Sequence, residues 1–167
     1  MNHLQPMLEE FVKEAETTKK VLDRVPADKL AWKPHEKSMT LGQLALHIAK
    51  VPGAIANITK SDRFDASQNN FPPPIPENLA EVHAALEQSV RDVRHTLTEA
   101  SDAFAQADWH LMLGDKEAMT LPRAAVWRAL MLNHWYHHRG QLSVYLRILN
   151  VAVPSIYGPS ADENPFR

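Results

Sequence analysis

The run Asn133-His134-Trp135-Tyr136-His137-His138-Arg139-Gly140-Gln141-Leu142 lies inside the longest stretch of helical periodicity in the chain. Its reading decides the rest. Four residues are a little more than one helical turn, so His134 and His138 leave the same face and can reach one ion. At about 100° per residue, Trp127, His134, His138, Gln141 and Tyr145 fall within about 30° of one direction. Leu130, Met131, Leu142, Ile148 and Leu149 flank that direction, while Arg128, Arg139 and Arg147 point elsewhere. The two histidines therefore sit on the stripe expected to be buried. A single core histidine is ordinarily satisfied by hydrogen bonds, but two at this spacing need a common partner for their ring nitrogens, and a divalent cation supplies one. His137, about 60° from His134 around the helix, reads as a flanking residue at the edge of the stripe.

The same periodicity recurs upstream. Leu4, Met7, Leu8, Phe11, Ala15, Thr18 and Leu22 predict a first helix from about residue 3 to 24, stopped by Val25-Pro26-Ala27-Asp28. A loop follows in which Trp32 is expected to dock onto the core. Thr40 and Gln43 form a capping-box pattern opening a second helix to about Thr59, with Leu44, Ile48, Val51, Ile55 and Ile58 on its apolar face. Pro52-Gly53 within it predicts a kink or local break. His47 lies on the shoulder of that face and is the best candidate for a third ligand. On spacing alone it could equally be a boundary histidine bonded to backbone or water.

Residues 61 to 76, polar and then proline-rich (Phe71-Pro72-Pro73-Pro74-Ile75-Pro76), read as a loop and a stiff crossover. Leu79, Val82, Leu86, Val90, Val93 and Leu97 predict a third helix over about 77–100, with His83 near its buried side and His95 exposed. Alternation around Trp109, Leu111 and Leu113 before Gly114-Asp115 suits a short hairpin or irregular loop between Phe104 and Met119. Thr120, Leu121 and Pro122 then read as an N-cap and an early-helix proline, opening a fourth helix that reaches about Leu149. The remainder is an extended tail. Four amphipathic helices with two long connections imply an all-α, four-helix bundle, in which metal sites are built from facing helices.

A chain of 167 residues fits one domain, residues 1–167, with a sizeable core. With 44% hydrophobic and 23% charged residues, the composition is that of a globular protein and not a disordered one. A formal charge of −2 and mixed charges on the first helix give no basic groove for nucleic acid or an anionic membrane. Met1-Asn2-His3-Leu4-Gln5-Pro6 lacks the basic start and apolar core of a signal peptide, and no apolar window is long enough for a membrane span, so a cytoplasmic location is expected. The absence of cysteine excludes thiolate ligands and a cysteine nucleophile; thiol chemistry would need a cosubstrate.

His134-Trp-Tyr-His-His138-Arg-Gly-Gln-Leu142, Tyr145-Leu-Arg147, Val153-Pro154 with Ile156-Tyr157-Gly158-Pro159, and Leu44-Ala-Leu-His47-Ile48 together resemble the DinB-like (DinB/YfiT) metalloenzyme superfamily over nearly the whole chain. The resemblance implies an up-down-down-up four-helix bundle, frequent homodimerisation, and a divalent metal held by three histidines, a donor set that suits zinc or nickel. These fall on His47, His134 and His138. Three neutral imidazoles leave at least one coordination position for water or substrate, whereas a closed structural site would need a fourth ligand. Some members resemble enzymes that use a low-molecular-weight thiol, so the leading expectation is activation of a small thiol for attack on a small electrophile. The alternatives are a hydrolase using metal-bound hydroxide and a non-catalytic metal- or ligand-binding stress protein. Gln141 and Tyr145 could orient a ligand or contact substrate, although packing is their commoner role. Arg139 could meet a cosubstrate carboxylate, although a surface ion pair is its commoner fate.

Overall fold

The structure, a computed structural model, describes residues 4–68 and 71–166. Residue 3, the expected start of the first helix, lies outside the described residues, as do the extreme N-terminus and residues 69 and 70 of the expected loop. The fold is mostly helical with a small three-stranded sheet. Its long helices are α1 (Gln5–Leu22), α2 (Leu41–Ile58) and α3 (Leu79–Glu99), followed by the short α4 (Asp102–Gln106). A last helical run joins α5 (Arg123–Val126), a π-helical stretch (Trp127–Asn133) and α6 (His134–Ile148). None of the helices among the described residues is long and apolar enough to cross a membrane.

Three of the helices, α2, α3 and α4, begin at a side-chain cap that the sequence supplies. Thr40 Oγ1 accepts the Gln43 N–H at 3.1 Å while Gln43 Oε1 accepts the Thr40 N–H at 2.9 Å, a complete capping box. Asn78 caps α3 through Glu81 N, and Ser101 caps α4 through Phe104 N. α2 packs along α3, against the π stretch and against α6; α1 closes the other side by packing on α3 and α6. Phe11, Leu44, Ile48, Val93, Trp135 and Leu142 meet in the core so formed, all fully buried. Trp32 packs against this core from the loop after α1 and meets the Tyr145 ring edge-on at 5.7 Å.

Pro52-Gly53 does not break α2, and the reason lies in partners far along the chain. Proline has no N–H to give the Ile48 carbonyl, and Trp135 Nε1 donates to that carbonyl instead at 2.9 Å. Ser89 of α3 makes the second repair, accepting the Gly53 N–H at 3.2 Å and donating to the Ala49 carbonyl at 2.6 Å. Only glycine permits that approach, since a Cβ at position 53 would stand 2.7 Å from Ser89 Cα. The helix runs on through the expected break, held by a tight α2–α3 contact and a hydrogen bond from α6.

The sheet departs from the all-helical expectation. β1 (Arg63–Asp65), within the segment expected to be loop, pairs parallel with β2 (Asp108–Leu113), which pairs antiparallel with β3 (Lys116–Pro122). The hairpin turn carries Gly114 at φ +61°, a conformation costly for other residues. Thr120, Leu121 and Pro122, expected to open the last helix, belong to β3, because Asp108 pairs with Pro122 and Trp109 with Leu121. The last helix starts only at Arg123, whose buried guanidinium is bonded to the Thr59 carbonyl and to Asp62 and lies 4.1 Å over the Phe104 ring. Trp127 Nε1 donates to Thr59 Oγ1 and Trp109 Nε1 to the Ile58 carbonyl. Three buried tryptophans thus direct their N–H groups to α2 and its C-cap.

The buried face of α6 is not the one projected from sequence. Trp135, His138, Arg139, Leu142 and Leu146 are buried, a stripe centred roughly 80° around the helix from the direction of His134 and Tyr145. A π turn holds an extra residue relative to an α turn, so the phase slips across residues 127–133. The slip swings Trp127 off the direction of His134 and into the core. Arg139 is accordingly buried, at 1% exposure, and does not make a surface pair. Its guanidinium meets Glu14 at 2.6 Å, bonds Thr18 Oγ1 at 3.1 Å and the Tyr157 hydroxyl, and stacks near the rings of Tyr136 and Tyr157.

Candidate metal centre

The slipped phase leaves His134 at the rim of the core and His138 at its edge, facing α2. His47 comes from α2, one residue before Ile48. The Trp135–Ile48 hydrogen bond therefore fixes the two helices against each other beside the histidines they carry. His134 Nε2 lies 3.3 Å from His47 Nε2 and 3.0 Å from His138 Nε2. One ligating nitrogen from each ring falls within 4.8 Å of the other two. Among the described residues, this is the set of three or more histidine or carboxylate side chains close enough to hold a metal ion.

The spacing suits a metal. Nitrogens about 2.0–2.1 Å from one ion stand about 3.0 Å apart at a right angle and about 3.4 Å apart at a tetrahedral angle. The protonation states suit it too. Burial, with the neighbouring His138 and His134 rings adding, pushes His47 down to about 4. Burial is also the main cause that lowers His134, followed by His138 and His137. In His138 the same effect of burial outweighs the opposing hydrogen bond to Gln141. Neutral imidazoles with free lone pairs are the form that binds metal. Gln141 Oε1 can only accept, so His138 Nδ1 carries the proton given to it at 2.7 Å, and His138 Nε2 presents its lone pair to the cluster.

Of the residues singled out by sequence, His47, His134 and His138 are brought together and Gln141 orients one of them. His137 is exposed and remains outside the cluster, its ring 5.1 Å from that of His138. Tyr145 packs against Trp32, with its hydroxyl donating to the Met39 carbonyl. His83 stands 3.7 Å from Asp23, and His95 is exposed. Arg139 spends its charge on Glu14 inside the fold.

Sequence reasoning missed the cavity beside the cluster, about 420 Å³, lined by His47 and His134 together with Lys50, Val51, Ile55, Phe64 and Leu130. Phe71 and Pro73 wall its other side. Phe71 meets the His47 ring edge-on at 5.5 Å, and Gln43 Nε2 donates to the Pro73 carbonyl at 2.9 Å, so the proline-rich segment is tied over the site. Its stiffness was legible, but not where it would be pinned.

The sequence model of the DinB family matches residues 1–165. The protein named uncharacterized protein YrdA, from Bacillus subtilis (strain 168), is 29% identical over 171 residues, covering 93% of this chain and 91% of that one. The crystal structure of a DinB-like protein from Bacillus cereus ATCC 10987 matches with a TM-score of 0.69 at 23% identity, over 90% of this chain and 95% of that chain. That of the DinB-like protein YjoA from Bacillus subtilis matches with a TM-score of 0.70 at 20% identity, over 91% and 98%. At such identities the two structures speak for the fold alone.

Proposed function

The chain belongs to the DinB family, and from that premise we propose that it is a metal-dependent enzyme that activates a low-molecular-weight thiol for transfer to a small electrophile. His47, His134 and His138 would hold one divalent ion, zinc or nickel. The observation that carries the reading is the convergence of three neutral imidazole nitrogens at the wall of an apolar cavity. A metal held by three imidazoles supplies a Lewis-acid position at which a thiol loses its proton more readily than in water.

The chain's own groups do the rest. Gln141 holds His138 in the tautomer that offers Nε2. The Trp135–Ile48 bond keeps α2 and α6 in register, and Phe71 and Pro73 line the cavity beside the histidines. The chain has no cysteine, so the thiol is a cosubstrate. We extend the proposal to the up-down-down-up bundle and the homodimer that the family resemblance implies, and to the cytoplasmic location expected from the sequence.

Elemental analysis of protein purified without an affinity tag tests the metal: one divalent ion per chain is expected. His134→Ala and His138→Ala should each lose it, and His137→Ala should keep it. A full equivalent of metal in His134→Ala would remove that residue from the site. Calorimetric titration of the metal-loaded protein with small thiols tests the chemistry, and no heat of binding with any of them would overturn the thiol reading.

A further inference from the structure

The cavity beside the histidines has a charge pattern of its own. Its floor is apolar, from Val51, Ile55 and Ile58 of α2 through Leu130 to Phe64 of β1. Lys50 is the one lysine or arginine among the lining residues, and no lining residue is a carboxylate. Its ammonium group has no hydrogen-bond or ion-pair partner among the described residues, whereas Arg123, Arg128, Arg139 and Arg147 are all paired. Lys50 also lies one helical turn from His47, at the end of the cavity where the histidines are.

We propose that this cavity binds a small amphiphilic monoanion, an apolar tail bearing one carboxylate. The acid group pairs with Lys50, and the tail runs along Val51, Ile55 and Ile58 towards Phe64. A single unpaired ammonium complements a single negative charge, and an apolar floor rewards a tail of matching length. Bound this way, the atoms next to the acid group face His47 and His134, which makes them the reacting part of the electrophile. That last step rests on the metal-dependent reading above; the binding itself does not.

Calorimetry on metal-free protein in a chelator, with octanoate, octanol and octylamine, tests the binding. Octanoate should bind about fivefold more tightly than octanol, as expected for one partly exposed ion pair, with octylamine weakest. Hexanoate should bind more weakly than octanoate by about fourfold per methylene. Lys50→Glu should reverse the order of octanoate and octylamine. Ala54→Trp, at an exposed position on the cavity wall, should weaken all three at least tenfold.

Octanoate binding no tighter than octanol, an order unchanged in Lys50→Glu, or full affinity in Ala54→Trp would each overturn the proposal. Elemental analysis judges the metal separately. A protein that holds metal but does not discriminate among the ligands refutes only the carboxylate site, and one that discriminates but holds no metal refutes only the metal centre.

Discussion

Replacing Trp135 with phenylalanine should destabilise the protein in a way that a second substitution, far away in sequence, partly repairs. The Trp135 N–H serves the Ile48 carbonyl, which Pro52 cannot serve, and both Trp135 and Ile48 are fully buried. Losing the bond and stranding a buried carbonyl costs about 1–3 kcal/mol. Shrinking the indole to a phenyl ring removes roughly 40 Å³, worth about another 1 kcal/mol as cavity. Trp135→Phe should therefore lose about 2–4 kcal/mol. Pro52→Ala restores an N–H one turn after Ile48, where the wild-type carbonyl already has a donor but the Trp135→Phe carbonyl has none. The double variant should recover the hydrogen-bond share and not the cavity share, giving a coupling of about 1–2 kcal/mol. Urea denaturation of the four proteins at pH 7 in a chelator, with equal m-values, measures it. Additivity within about 0.5 kcal/mol would refute the idea that Trp135 stands in for the missing helix bond.

Arg139→Met should cost about 3–5 kcal/mol by leaving Glu14 buried without its partner, and Arg139→Met/Glu14→Leu should regain most of that loss in the same denaturation assay; a single-variant loss under 1 kcal/mol would place the pair in solvent. Gln141→Leu should weaken metal binding about 10- to 100-fold without unfolding the chain, since it frees His138 to turn or change tautomer. Equal metal affinity, read by competition with a chromophoric chelator, would remove Gln141 from that role. Metal-free protein should lose stability as pH falls from about 6.5 towards about 4, because the unfolded His47 takes up a proton that the folded ring refuses. The contribution is full above the unfolded value and is lost through that window, on the order of 1–2 kcal/mol after solvent screening. His47→Gln should flatten the curve there, and parallel curves for the two proteins would contradict the assignment.

What is local in origin was legible from residue order. Apolar residues at helical spacing placed α1, α2 and α3 to within a few residues, and the Thr40–Gln43 box marked where α2 begins, since caps and periodicity act within one or two turns. The separation of His134 and His138 put both rings on one face, and family resemblance pointed to His47, which the fold brings within reach of them. Tertiary structure decided what depends on distant partners. β1 exists because β2 lies beside it, and Thr120–Pro122 is strand because it pairs with residues 108–110. Pro52-Gly53 stays helical because Ser89 and Trp135 supply the missing hydrogen bonds. The π stretch turned the face of α6, drew Arg139 inside to Glu14 and left His134 at the rim of the core, beside a cavity. A helical projection assumes a constant pitch, and a single change of pitch, stabilised by side chains from other helices, redirects every residue that follows it.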